Sequence, residues 1–252
     1  MKRYFTISLA LFIGFVVQSQ SERITIPESL KKLPLRHVSN TTINAPVNNN
    51  NAVNNLKSTY FDEWTEETIG ESRFDLQTNY SSQNRIYLHS DGTVGGTWIM
   101  GFGETTFPDR GTGYNYYDGT EWGPIPTERI ESQKCGWPSY AAYAAGGEVI
   151  ISHSVGDDGL VINKRETKGS GNWNEFFFPG PAGHEDMVWP RMVTNGPNYL
   201  NFHLFALTLP VDNGGSIYNG MDGALLYSRS LDGGNTWDIE HLQLDGMTSA
   251  EY

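Results

Sequence analysis

Residues Ser230 to Trp237 read Ser-Leu-Asp-Gly-Gly-Asn-Thr-Trp, and looser copies of this octapeptide recur upstream. Asp232 is placed to accept turn amides, Gly233 and Gly234 admit positive φ without a Cβ penalty, and Trp237 brings a large apolar body to the following strand. The octapeptide therefore predicts a tight turn joining two strands of one sheet. Tyr117-Asp118-Gly119-Thr120-Glu121-Trp122 and Lys168-Gly169-Ser170-Gly171-Asn172-Trp173 are likewise polar, Gly-containing turns that end on Trp. A second marker keeps the same step: Trp137-Pro138 and Trp189-Pro190 lie 52 residues apart, close to the 51 between Trp122 and Trp173. The 64 residues from Trp173 to Trp237 exceed this step, and the Gly- and Asn-rich stretch Leu209 to Gly223 accounts for the excess. A repeat of about 50 residues built of short strands has the size of a four-stranded propeller blade.

Superposing the repeats predicts three sets of four strands. The first set is Arg85 to His89, Thr93 to Met100, Gly113 to Tyr117 and Glu121 to Pro124. The second is Ser139 to Tyr143, Glu148 to His153, Leu160 to Arg165 and Trp173 to Phe178. The third is Arg191 to Thr194, Tyr199 to Leu207, Ala224 to Ser230 and Trp237 to Leu242. Strands such as Glu148-Val149-Ile150-Ile151-Ser152 are too continuously apolar for a sheet with one wet face, as expected where both faces pack on neighbouring blades. A β-sandwich is the rival architecture, but it requires no such repeat. The fold class expected is all-β, a β-propeller with about three four-stranded blades. Closed propellers hold about four to eight blades, so the expectation is an incomplete ring, either a truncated sequence or one closed by a partner chain. Thr68 to Leu76 is expected to add a further strand.

Outside the repeats, the first nineteen residues have the basic start (Lys2, Arg3), apolar run (Tyr4 to Val17) and small-residue exit of a secretory signal. A membrane anchor is the competing reading of that run, which is short for a bilayer span. Residues 20–58 carry an Asn-rich polar stretch without hydrophobic period and read as a flexible linker, leaving 59–252 for the propeller. The net charge of −12 excludes nucleic acid and anionic lipid as natural partners. The single cysteine, Cys135, can form no internal disulfide and no thiolate zinc site. No cofactor and no metal is expected, because His184-Glu185-Asp186 are adjacent residues that rarely converge on one ion, and no segment beyond the signal is long and apolar enough to span a membrane.

The chain resembles the sialidase (neuraminidase) superfamily of Asp-box, or BNR-repeat, propellers over roughly residues 60 to 252, with Ser230, Asp232, Gly234, Thr236 and Trp237 as its complete Asp box. The resemblance implies an exported protein of bacterial type, with structural aspartates on one face and binding groups on the longer loops of the other. Arg85-Ile86-Tyr87 followed by Asp91-Gly92-Thr93 is similar to the family's Arg-Ile-Pro segment, with Tyr87 where Pro is expected. The resemblance implies that Arg85 is one of three arginines gripping a sialic acid carboxylate, a task suited to the guanidinium fork. It also places an acid/base aspartate in a following loop, where Asp109 stands by position; the family's Tyr–Glu pair has no match here. Arg110, Arg191 and His184 are further candidate substrate-binding residues. Plainer readings stand beside these: strand-end arginines paired with carboxylates, and a solvated Asp109-Arg110 turn.

Three functions remain open on the sequence. One is an exported or cell-surface module that binds a glycan or glycoprotein, with Tyr114, Tyr116, Trp137 and Trp189 as candidate stacking surfaces. The second is an exo-sialidase-type glycoside hydrolase with further catalytic residues beyond this chain. The third is a structural or adhesive domain of a larger secreted protein. Fold alone does not choose among them.

Overall fold

A computed structural model describes residues 66–77, 84–156 and 158–250. All of them belong to the unit Glu63–Tyr252, and the signal and linker readings fall outside the described residues. The described chain is all-β, built of three antiparallel sheets in sequence order. Sheet 1 holds β1 (Ile86–Leu88), β2 (Val94–Met100) and β3 (Gly111–Tyr117). Sheet 2 holds β4 (Cys135–Tyr143), β5 (Gly147–Ser154), β6 (Leu160–Arg165) and β7 (Asn174–Phe178). Sheet 3 holds β8 (Met187–Asn195), β9 (Asn201–Thr208), β10 (Leu225–Ser230) and β11 (Ile239–Gln243). Each sheet is a simple meander in which consecutive strands pair.

Two expectations are corrected. Glu121 to Pro124 is not a fourth strand of sheet 1: the chain returns beside β3 through a single bridge, Tyr117 to Trp122. Pro124 has no N–H to carry the ladder onward, and the Gly123 carbonyl is taken by the Asn115 side chain at 3.0 Å. Thr68 to Leu76 forms no strand either. It runs along sheet 1 and is tied to the end of β2, where the Arg73 and Phe74 amides both donate to the Gly101 carbonyl. Gln77 completes the tie by accepting from the Ile99 amide and donating to the Ile99 carbonyl.

The two Trp-Pro dipeptides do not precede their strands but lie inside them. β4 pairs with β5 on both sides of Trp137-Pro138, and β8 with β9 on both sides of Trp189-Pro190, with a register shift at each dipeptide. Both tryptophans take φ of 52°, a left-handed conformation that costs a bulky residue energy, doubly so before proline. A β-bulge absorbs both the strain and the missing proline donor. Its occurrence at the same place in two successive sheets ties the 52-residue repeat to backbone geometry.

Sheet 2 lies between its neighbours. Every residue of β4, β5 and β6 is buried, because β4 packs on β2 and β3 on one side while β4 and β5 pack on β8 on the other. Close approach to sheet 1 requires Gly95, since a Cβ there would fall 2.1 Å from the Tyr140 hydroxyl. Between sheets 2 and 3 the core is apolar, with Val149, Ile151, Leu160, Met192, Phe202, Leu204 and Leu226 all at most 1% exposed. Side chains that large gain about 1.5–3 kcal/mol each on burial. The first strands of the sheets converge at Asn84, whose carbonyl accepts from the Tyr140 amide at 2.8 Å and whose side chain donates to the Met192 carbonyl at 2.9 Å.

The antiparallel order sorts the connections to two ends. The turns 89–93, 144–146, 166–173, 196–200 and 231–238 share one end, and the connections 101–110, 123–134, 155–159, 179–186 and 209–224 share the other.

Candidate functional site

At the long-connection end, a cavity of about 490 Å³ opens between sheets 2 and 3, lined among others by Arg110, Trp137, His153, Asp186, Trp189 and Asn213. Its back wall is a stack fixed by the two bulges. The Trp137 ring lies on the His153 ring, with centroids 5.2 Å apart and planes at 17°. The Arg110 guanidinium approaches the same indole at 5.4 Å and Phe74 at 5.2 Å, while its Nε donates to the Cys135 carbonyl. The Trp189 amide donates to His153 Nδ1 at 3.1 Å, so the second bulge of the pair holds the imidazole of the neighbouring sheet.

That contact settles the chemistry of His153. With Nδ1 accepting, the neutral ring carries its proton on Nε2. Burial, with the Arg110 charge beside it, lowers its pKa to about 3 and keeps the ring neutral at physiological pH. Of the four aromatic residues expected as stacking surfaces, Trp137 is 8% exposed and engaged by His153 and Arg110. Tyr114 is engaged by Glu148 and Trp173, and Tyr116 belongs to a cavity at the opposite end. Trp189, half-buried, is the one that lines this cavity with surface to offer.

The remaining candidates fall around this end. Arg85 just precedes β1 and Arg191 lies within β8 past its bulge, and the two come close enough for their charges to repel: burial first, and Arg191 second, lower the Arg85 pKa to about 10. Arg85 donates to the Gln77 carbonyl, and Arg191 to the carbonyls of Trp189 and Pro190. Asp109 lines a separate cavity of about 560 Å³ with Phe102 and Arg129. Its carboxylate accepts from the Phe102 and Gly103 amides at 2.7 and 2.8 Å. Burial raises its pKa, but these amides outweigh it and leave the group below its usual range. A carboxylate so held is ionised at neutral pH and lacks the proton a general acid must deliver. His184 meets Ser216 at 3.3 Å and the Tyr218 ring at 5.1 Å in a cavity of about 300 Å³ that shares Asp186 and Leu209 with the first.

Tyr–Glu contacts do occur, one at the short-turn end between Tyr143 and Glu166 and the others in the packed layer between sheets 1 and 2. Tyr114 and Tyr140 both donate to Glu148, which is fully buried and paired with Arg165 at 2.5 Å. Burial first and Glu148 second push both phenol pKa values far up, the reverse of what an attacking tyrosine needs. At the short-turn end, Asp232 accepts from the Asn235 and Thr236 amides and the Thr236 hydroxyl, and Ser230 accepts from the Gly234 amide. Gly233 and Gly234 take φ of 75° and 79°, and Trp237 stacks on Phe178 at 4.2 Å. These residues hold the turn and stand apart from the cavity. Among the described residues no group of three His, Cys, Asp or Glu is placed to hold a metal, and no helix is long and apolar enough to cross a membrane.

The Arg110–Trp137–His153 stack was not visible in the sequence as a unit. Its one signal was the repeated Trp-Pro, which marked the bulges but not the partners they select.

No family model and no curated protein sequence matches the chain. Among solved structures, a fucose lectin from Kordia zhangzhouensis in complex with methyl-fucoside aligns with 63% of this chain and 98% of its own, at 10% identity and a TM-score of 0.35. A likeness of that size decides neither fold nor ligand.

Proposed function

We propose that the protein is an exported glycan-binding module, its three sheets being blades of a sialidase-like propeller and its ligand site the cavity at the long-connection end. The observation that carries this reading is the cavity between the two Trp-Pro bulges, where a half-buried Trp189 stands beside a guanidinium, an imidazole N–H and the Asn213 amide. An aromatic face with a few convergent polar groups suits a saccharide, whose apolar C–H face stacks while its hydroxyls are bonded. The equivalent bulges and the Ser230–Trp237 turn support the propeller reading, and the basic, then apolar, N-terminus supports export. The approach of Arg85 to Arg191 is the one observation favouring the hydrolase. Binding is preferred because Asp109 is held ionised, and because the Tyr114 and Tyr140 phenols are tied to Glu148 away from the cavity with their pKa values pushed up.

The test is retention of the full chain on a panel of immobilised glycans. Trp189→Ala should weaken the best ligand roughly tenfold, as expected for losing an aromatic contact of about 1.4 kcal/mol. The substitution keeps the backbone N–H that holds His153. Retention unchanged in a folded variant would remove the cavity as the site.

A further inference from the structure

The Gly- and Asn-rich stretch that lengthens the third repeat builds a second compartment beside this cavity. The connection from β9 to β10 runs 209–224, where its counterpart in sheet 2, from β5 to β6, needs only 155–159. The extra chain is anchored. Tyr218 and Met221 pack against the apolar core and exchange backbone hydrogen bonds with each other, and the Asp222 carboxylate accepts from the Val211 amide at 2.8 Å. A Cβ at Gly215 would fall 1.8 Å from the Leu209 carbonyl oxygen, so glycine is needed for the returning chain to lie against Leu209. The result is the cavity of about 300 Å³ that holds His184 and Ser216.

The two cavities adjoin. Asp186 and Leu209 wall both, and the Leu209 amide donates to the Asp186 carbonyl at 3.0 Å, so a bond between the two connections fixes the wall they share. Each connection passes from one cavity to the other: Trp189 leads back through Asp186 to His184, and Asn213 leads on to Ser216. What the two ends offer differs. Trp189 presents a ring in the first cavity, whereas the second presents the His184 imidazole, held edge-on by the Tyr218 ring, with its Nδ1 3.3 Å from the Ser216 hydroxyl. We infer that the ligand is an oligosaccharide of at least two residues, one stacked on Trp189 and the next hydrogen-bonded by His184 and Ser216. This rests on the glycan-binding reading and adds the ligand's length. A single sugar occupies one cavity and leaves the polar groups of the other to water, so the bonds of the second cavity are gained only by a longer chain.

The full chain would be applied to an array carrying the mono-, di- and trisaccharides of glucose, galactose, mannose and N-acetylglucosamine, with an apparent Kd read for each. In at least one series the disaccharide should bind about tenfold more tightly than its monosaccharide, as expected for one or two added hydrogen bonds. Ser216→Ala, at an exposed position, should lower this length ratio, and His184→Ala combined with it should bring the ratio toward one. Trp189→Ala should instead weaken binding at every length. Equal binding of mono-, di- and trisaccharides by the wild type, or a ratio unmoved in the folded double variant, would overturn the inference and leave the glycan reading standing. Binding of no member of the four series would also overturn it, and no retention on the wider panel either would overturn the glycan reading with it.

Discussion

Asp232 does its work within five residues of chain, which is why its role could be read from the sequence. The Thr236 hydroxyl and amide, in that order, lower its pKa from 3.8 to about 2. A depressed carboxylate stabilises the fold fully above its unfolded value and loses that contribution as pH falls through the folded value, here between about pH 4 and pH 2. The group is largely solvated, so its contribution is discounted to about 1 kcal/mol. Asp232→Ala should therefore lower Tm by a few degrees at pH 7, with the gap to wild type narrowing toward pH 2 in parallel melts. A gap that does not change with pH would contradict it. Arg110 is the opposite case. Its partners are Cys135 along the chain and Phe74 and Trp137 across it, and no local pattern announces them.

At the scale of the strand, the repeat predicted existence and order well, because turn-bounded apolar runs of fixed spacing leave little choice of pairing. It misplaced the starts of β4 and β8, which begin at Cys135 and Met187, ahead of the expected Ser139 and Arg191. Trp-Pro reads as a strand boundary unless a bulge absorbs it, and a bulge depends on the partner strand. The layer between sheets 1 and 2 was likewise hidden. Glu148 from β5 joins Tyr114 of β3, Tyr140 of β4 and Arg165 of β6, and in sequence it passes for one polar residue at the head of an apolar run. Glu148→Gln would strand the buried Arg165 charge, at a cost of about 3 kcal/mol in denaturant melts. Adding Arg165→Met should restore part of the loss, since removing both charges ends the unpaired burial. A single variant as stable as wild type would show that the buried Arg165 charge does not depend on Glu148.

For the molecule as a whole, the question is whether three meander sheets, each complete in its own hydrogen bonding, unfold together or apart. Apolar packing joins sheet 2 to sheet 3 along a continuous core, whereas the layer joining sheets 1 and 2 is polar at Glu148 and Glu131. Asn84 is the point where all three meet: it follows the chain into β1, pairs its carbonyl with Tyr140 of β4 and reaches Met192 of β8 with its side chain. A side-chain bond of that kind contributes about 1 kcal/mol, and here it also couples sheet 1 directly to sheet 3. Wild type should show coincident transitions by tryptophan fluorescence and far-ultraviolet circular dichroism. Asn84→Ala should destabilise sheet 1 by that amount and split the transition, the sheet 2–sheet 3 core melting last, with faster hydrogen exchange confined to β1, β2 and β3. Exchange raised equally in β5 and β9 would mean that the three sheets form one cooperative unit without Asn84, and that the apolar core alone sets the stability of the whole.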